Sequence, residues 1–208
     1  MEYAFHLYNK WATDGLTMAT ERILSACKTS KNTKTKGAGL RSMKNPPSDL
    51  PPDPPVVVCV GSDLAIGDSL GPITGSMLKF KTQGLRFSLY GTLASPVTAK
   101  EIRYLRAFLK DTHPNSKVLA IDAAVGEKGD IGLIKANDSP LFPGAGANKT
   151  LGALGDMSIL GVVAEKSVSN YTLLNTTRLQ LVYSMAEIIS DAVANLLWES
   201  CNPNRKNA

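Results

Sequence analysis

Cysteine and histidine are both scarce in this chain of 208 residues, with three of the first and two of the second. Cys27, Cys59 and Cys201 are odd in number and far apart, with no CxxC pair and no Cys/His ligand spacing. That excludes a disulfide framework and a zinc-finger type of site. The three read as reduced thiols of a cytosolic protein, with Cys59 filling a buried strand. Long hydrophobic runs are missing as well. None approaches the roughly 18 apolar residues that span a bilayer, and MEYAFHLYNKWATDG lacks the basic-then-apolar layout of a signal peptide. What is abundant is ordinary core material: 43% of the residues are hydrophobic, enough for one domain of common size.

The formal net charge of +5 points at first to nucleic acid, but its placement argues otherwise. Lys28, Lys31, Lys34, Lys36, Arg41 and Lys44 all precede the first acid of their stretch, Asp49, and leave the rest of the chain close to neutral. The segment is rich in Ser, Thr and Asn and holds no aromatic residue. Nucleic-acid binding wants basic residues on a folded face, whereas this composition describes a solvated linker. Neither a nucleic acid nor a membrane is an expected partner.

Periodicity divides the chain. Residues 1–28 read as one N-terminal helix packing on the core, with Leu16, Ala19, Ile23, Leu24 and Cys27 at helical spacing and Asp14 as N-cap. Residues 29–55 form a basic, Pro-rich insertion ending in NPPSDLPPDPP, where prolines fix φ and remove donors. Residues 56–200 carry the core, and 201–208 a flexible tail. Val56–Val60 is the β-branched run of a strand buried on both faces. A glycine-bounded loop follows, then a helix over Ser69–Lys81 with Leu70, Ile73 and Met77 on one face. A strand over Phe87–Leu93 precedes an amphipathic helix over Thr98–Asp111, carrying Ile102, Leu105, Ala107 and Leu109. Strands over Val118–Ala123, Ile131–Lys135 and Ile159–Ala164 come next. The helix over Thr177–Trp198 presents Leu181, Met185, Ile188, Ala192 and Leu196 as its inner stripe. Strands separated by helices predict an α/β fold with helices on both faces of the sheet, and sites beyond the carboxyl ends of its strands.

That rule selects the polar residues that matter. In VCVGSDLAIGDSLGP a buried strand ends at Gly61 and Asp68 opens the next helix, where the dipole favours an ionised carboxylate; Asp68 is either a helix cap or a catalytic group. A phosphate loop is excluded. The interval from Gly61 to Gly67 is one residue too long for G-x-x-x-x-G-K-S/T, and Asp68 stands where the lysine belongs. In VLAIDAAVG four apolar residues lead into Asp122, an expensive place for an acid unless water, a donor or a function meets it. If both strands are central and parallel, the two carboxylates meet above the sheet. One then acts as base and the other as acid on a water, or the pair holds a divalent metal. In SPLFPGAGANKTLGALGDM the glycines, Gly144 and Gly146 among them, expose backbone amides, and Asn148 and Lys149 add side-chain donors. The other reading of that segment is an ordinary surface loop.

Taken together, GSDLAIGDSLGP, AIDAAVG, PGAGANK, GDMSILGVV and NTTRLQLVYSMAEIISDAV resemble the YyaC-type sporulation proteins of spore-forming bacteria, from about Val56 to Val193. More distantly the same loops resemble the spore germination protease, with its T-P-D-A-L-G-P and P-G-S-G-x-G-N-K segments, and the hydrogenase maturation endopeptidases. The resemblance implies a three-layer α/β/α sandwich with a mostly parallel central sheet, of the phosphorylase/hydrolase-like kind. It implies a cytoplasmic peptidase of the sporulating cell or spore, acting on a protein or peptide, the small acid-soluble spore proteins among them. Asp68 and Asp122 would then be its catalytic pair, with Gly61, Asp63, Gly67, Gly144, Gly146, Asn148 and Lys149 on the substrate side and no metal or cofactor. The maturation endopeptidases use a histidine from a later loop to bind a metal. Here the only histidines are His6, before the core, and His113, in a surface turn, and Phe142 stands where the germination protease tends to carry one. The alternatives are a non-catalytic sporulation factor that binds a peptide or partner protein, and a metal-dependent maturation-type endopeptidase.

Overall fold

The computed structural model describes residues 1–31, 53–144, 151–166, 174 and 177–201, with side chains of residues 26–31 and 201 outside that description. Linker residues 32–52, the loop residues Gly146, Asn148 and Lys149, and the tail from residue 202 lie outside the described residues.

Six strands form one sheet in the order β1-β5-β6-β4-β2-β3. These are β1 (Glu2–His6), β2 (Val56–Cys59), β3 (Ser88–Tyr90), β4 (Val118–Gly126), β5 (Leu133–Asn137) and β6 (Met157–Glu165). The pairs β2/β3, β2/β4 and β4/β6 are parallel, and β5 runs antiparallel to both β1 and β6. The helices are α1 (Ala12–Lys31), α2 (Leu70–Lys81), α3 (Ile102–Thr112) and α4 (Leu179–Cys201). The chain is thus a mixed α/β protein with a mostly parallel central sheet.

The valine run of β2 shows why the sheet is central. Val57 and Cys59 point into a cluster with Leu16 of α1, Leu70 of α2 and Met185 of α4. Val56, Val58 and Val60 point the other way, onto Ile102 and Leu109 of α3. Alternate side chains enter opposite layers, so every position must be apolar. Among the described residues, three helices therefore cover one face and α3 the other. Ala107 of α3 is exposed, contrary to its expected inner position, because the buried face of that helix is narrow and carried by Ile102 and Leu109.

The N-terminal residues correct the reading of a single helix. Glu2–His6 is an edge strand in register with β5, from Glu2↔Asn137 to His6↔Leu133. Its alternation lets Tyr3 and Phe5 pack on the core. Nor is Asp14 the cap of α1. The carboxamide oxygen of Asn9 accepts the Trp11 amide at 3.0 Å, and its carbonyl accepts that of Ala12 at 2.9 Å. Asp14 lies inside the first turn, where an acid still complements the helix dipole.

Helix α4 also revises the hydropathy argument. Leu179–Ser200 is long and apolar enough to cross a membrane by length and composition, with mean hydropathy 1.2. In the fold its apolar face, Val182, Met185, Ala186, Ile189 and Val193, is buried in the core. Each large side chain so buried stabilises the fold by about 1.5–3 kcal/mol. Lys81 of α2 ties the two helices at their rim, donating to Ser190 Oγ at 2.8 Å and to Asp191 Oδ1 at 2.6 Å.

Candidate active site

Strands β2 and β4 are neighbours, but their chains leave in opposite directions, β2 toward β3 and β4 toward β5 and β6. This is the topological switch point of the sheet, where a crevice opens beyond the strand ends. A cavity of about 500 Å³ lies there, and both Asp68 and Asp122 line it.

Asp68 is carried by a 3₁₀ turn, Gly67–Ser69, that leads into α2. Local bonds build the turn: Ser69 donates from its hydroxyl to the Ile66 carbonyl at 2.6 Å, and the Ser62 amide donates to the Asp68 carbonyl at 3.1 Å. The capping positions are Ile66 for the turn and Ser69 for α2, so the side chain of Asp68 occupies neither. Close packing places the turn. A Cβ on Gly71 would overlap the Val60 carbonyl oxygen, and one on Gly61, at φ 139°, the Asp68 carbonyl oxygen. Glycine at both positions lets α2 start directly against the end of β2.

The strand that carries Asp122 runs beyond the expected end at Ala123, since β4 continues to Gly126. Asp122 stands at the step where β2 has ended, one residue past the Cys59↔Ile121 pair, and is paired with Leu160 on the other side. It is only 9% exposed, and its Oδ1 accepts the Ala123 amide at 2.8 Å. Burial pushes its carboxyl well above the usual range, the Asp68 charge pushes it further, and the Ala123 amide works against both. Burial also raises Asp68, offset in part by the Ser62 amide. Of the two carboxyls, Asp122 is the one raised both by burial and by the charge of the other.

The remaining candidates divide. Gly61 and Gly144 line the cavity. Asp63 is exposed outside it, and Gly67 is buried against Leu174 and Thr177 rather than open to a ligand. Its small size serves packing of the turn, which local spacing does not distinguish from a binding glycine. The Ser139–Gly155 segment is clamped at its base by reciprocal amide–carbonyl bonds between Leu141 and Leu154 at 2.9 and 2.8 Å. Phe142 beyond that clamp forms part of the wall. Missed by sequence reasoning were Glu2 and Asn137, which β1/β5 pairing brings to the cavity, and Ser158 of β6. The alternation of EYAFH was the available signal for Glu2.

Neither histidine lines the cavity. His113 ends α3 and meets the Tyr90 hydroxyl at 2.8 Å through Nε2, so it is half-buried and engaged rather than a free turn residue. Among the described residues no three His, Cys, Asp or Glu side chains gather as a ligand set. The donors present do not fit a nitrogen-ligated metal at the carboxylate pair.

Fold and site together define an α/β protein with a carboxylate pair at the switch point of its sheet. The chain belongs to the family described as "Protein of unknown function (DUF1256)", whose model matches residues 33–192. It is 40% identical over 141 residues to "Uncharacterized protein YyaC" of Bacillus subtilis (strain 168), covering 68% of either chain. Among solved structures, the NiFe hydrogenase maturation protease HycI of Thermococcus kodakarensis KOD1 superposes with a TM-score of 0.44 at 16% identity, over 70% of this chain and 93% of that one.

Proposed function

We propose that this protein is a peptidase in which Asp68 and Asp122 act as base and acid on a water. The observation that carries the reading is that both carboxylates line one cavity at the switch point, where burial and the charge of Asp68 both raise the Asp122 carboxyl. Asp68, the less buried of the two, is the base.

The water oxygen attacks the peptide carbonyl carbon as Asp68 takes a proton from it and Asp122 gives its proton to the carbonyl oxygen. The tetrahedral adduct then collapses. Asp68 passes its proton to the amide nitrogen, the C–N bond breaks, and one hydroxyl proton of the adduct returns to Asp122. Both side chains end in their starting states, and the step needs no bound metal or cofactor.

The resemblance to YyaC-type and germination-protease sequences directs the substrate to spore proteins, the small acid-soluble class first. The same resemblance supports a location in the cytoplasm of the sporulating cell or the spore interior as part of this proposal. Incubation with small acid-soluble spore proteins and a peptide library, followed by mass spectrometry of new termini, tests the reading. Cleavage by the wild type that disappears in both Asp68→Asn and Asp122→Asn is expected. Normal cleavage by both variants overturns the assignment. Binding of substrate by the wild type with no cleavage gives the site to a non-catalytic factor.

A further inference from the structure

Among the described residues, one edge of β4 has no partner strand inside the cavity. Backbone groups of successive strand residues point to opposite sides, and anchors on each side fix the parity here. The Val118 carbonyl accepts the Asp156 amide at 2.8 Å and the Gly126 carbonyl that of Lys166 at 2.6 Å, so even-numbered residues of β4 turn toward β6. The carbonyls of Lys117 and Ile121 accept the amides of Val56 at 2.9 Å and Val60 at 2.7 Å, so odd-numbered residues turn toward β2. Beyond that bond the chain leaves β4: Val60 bridges to Val97, and the Gly61 amide donates to the Val97 carbonyl at 2.9 Å. The Ala123 amide is taken by Asp122 Oδ1. Among the described residues, the alternation leaves the Ala123 carbonyl and both polar groups of Val125 with no strand to pair with. Ala123, Ala124 and Val125 are half-buried and line the cavity.

We infer that this edge of β4 binds an extended peptide segment as an added strand, in the track that β2 vacates. A row of carbonyl, amide and carbonyl at strand spacing is matched by another backbone. Small residues, Gly61, Ala65 and Ala99, are among those lining the same cavity and leave room for a main chain. From Asp122 to Gly126 the edge runs about 13 Å, the length of four or five extended residues. In a parallel arrangement one peptide residue donates to the Ala123 carbonyl and accepts from the Val125 amide. Asp122 opens this edge and Asp68 stands across the same cavity, so the added strand passes the carboxylate pair. That the bound peptide is also a substrate rests on the peptidase reading; the docking itself does not.

The experiment uses the full chain carrying Asp68→Asn, which leaves β4 unaltered, and a library of blocked hexapeptides randomised at every position. Retained peptides are resynthesised with single backbone N-methyl groups and their affinities compared. N-methylation at alternate amides is expected to weaken binding about tenfold, as loss of one backbone hydrogen bond does, with little effect at the positions between. Amide hydrogen exchange at Val125 should slow on binding. Failure to retain any peptide, N-methylation without effect at every position, or unchanged Val125 exchange with peptide bound each overturns the docking. Wild-type cleavage of peptides that bind without backbone dependence removes the docking and keeps the peptidase. Backbone-dependent binding with no wild-type cleavage does the reverse.

Discussion

The carboxylate of Asp122 holds the amide of its own neighbour Ala123 at 2.8 Å, at the ladder step where β2 has already turned away from β4. The side chain thus satisfies a backbone donor that the departing strand abandons, while burial raises its carboxyl above the usual range. One bond links the end of a strand pair to the chemistry of the cavity.

Activity should depend on pH through both carboxyls. The proposed mechanism needs Asp68 ionised and Asp122 protonated, and both are shifted above the ordinary value of 3.8. The rate should rise as Asp68 ionises and fall as Asp122 loses its proton, with the acid limb above pH 3.8. Asp68→Asn and Asp122→Asn should each lower kcat by about 10²–10⁴-fold, as loss of a general acid or base does. A pH–rate profile on a cleaved peptide measures both.

Stability should show the opposite face of the same shifts. A carboxyl whose proton is held more tightly in the folded state than in the unfolded contributes stability below the unfolded value near 3.8, and loses it as pH rises through the folded one. Asp122→Asn removes that loss. The variant should gain in Tm relative to the wild type as pH increases above about 4, and the gap should close in acid. Thermal melts across the pH range measure it; a gap that widens in acid instead would contradict the burial argument.

Gly71→Ala should cost about 1–3 kcal/mol, because the added methyl overlaps the Val60 carbonyl oxygen and overpacking is met by backbone movement. The movement separates α2 from β2 and carries Asp68 away from Asp122. Denaturant unfolding measures the first effect, and a loss of peptide cleavage beyond the loss of folded protein measures the second.

Cys59 should be inert in the native state. Its side chain is fully buried, and burial pushes its thiol far above the ordinary range. In a chain carrying Cys27→Ser and Cys201→Ser, a thiol reagent should leave Cys59 unmodified at neutral pH and react on adding denaturant. Rapid reaction without denaturant would place Cys59 outside the core.

Much of this architecture was legible without coordinates, wherever a pattern is local. The run Val56–Cys59 marks a strand buried on both faces because every second residue meets a different helix layer. The stripe of α4 repeats at helical spacing, and Asp68 and Asp122 stand out as acids beside apolar strands. Pairing between distant segments was not legible. Glu2–His6 is a strand only because β5, some 130 residues later, offers an edge for it, and Glu2 reaches the cavity only through that register. Local sequence likewise does not separate Gly67, which packs on Leu174 and Thr177, from Gly61, which lines the cavity.

The sequence by itself determined which segments become helices and inner strands and which acids lie near strand ends, since hydrophobic periodicity and turn chemistry act over a few residues. Only the tertiary structure decided that β2 stops at Cys59 while β4 runs on to Gly126. That difference opens the cavity, brings the two carboxylates into one electrostatic field, and leaves the Ala123–Val125 edge unpaired. It is set by the close approach of α2 to Val60 and by the turn of the chain toward Val97, contacts between elements far apart in the chain.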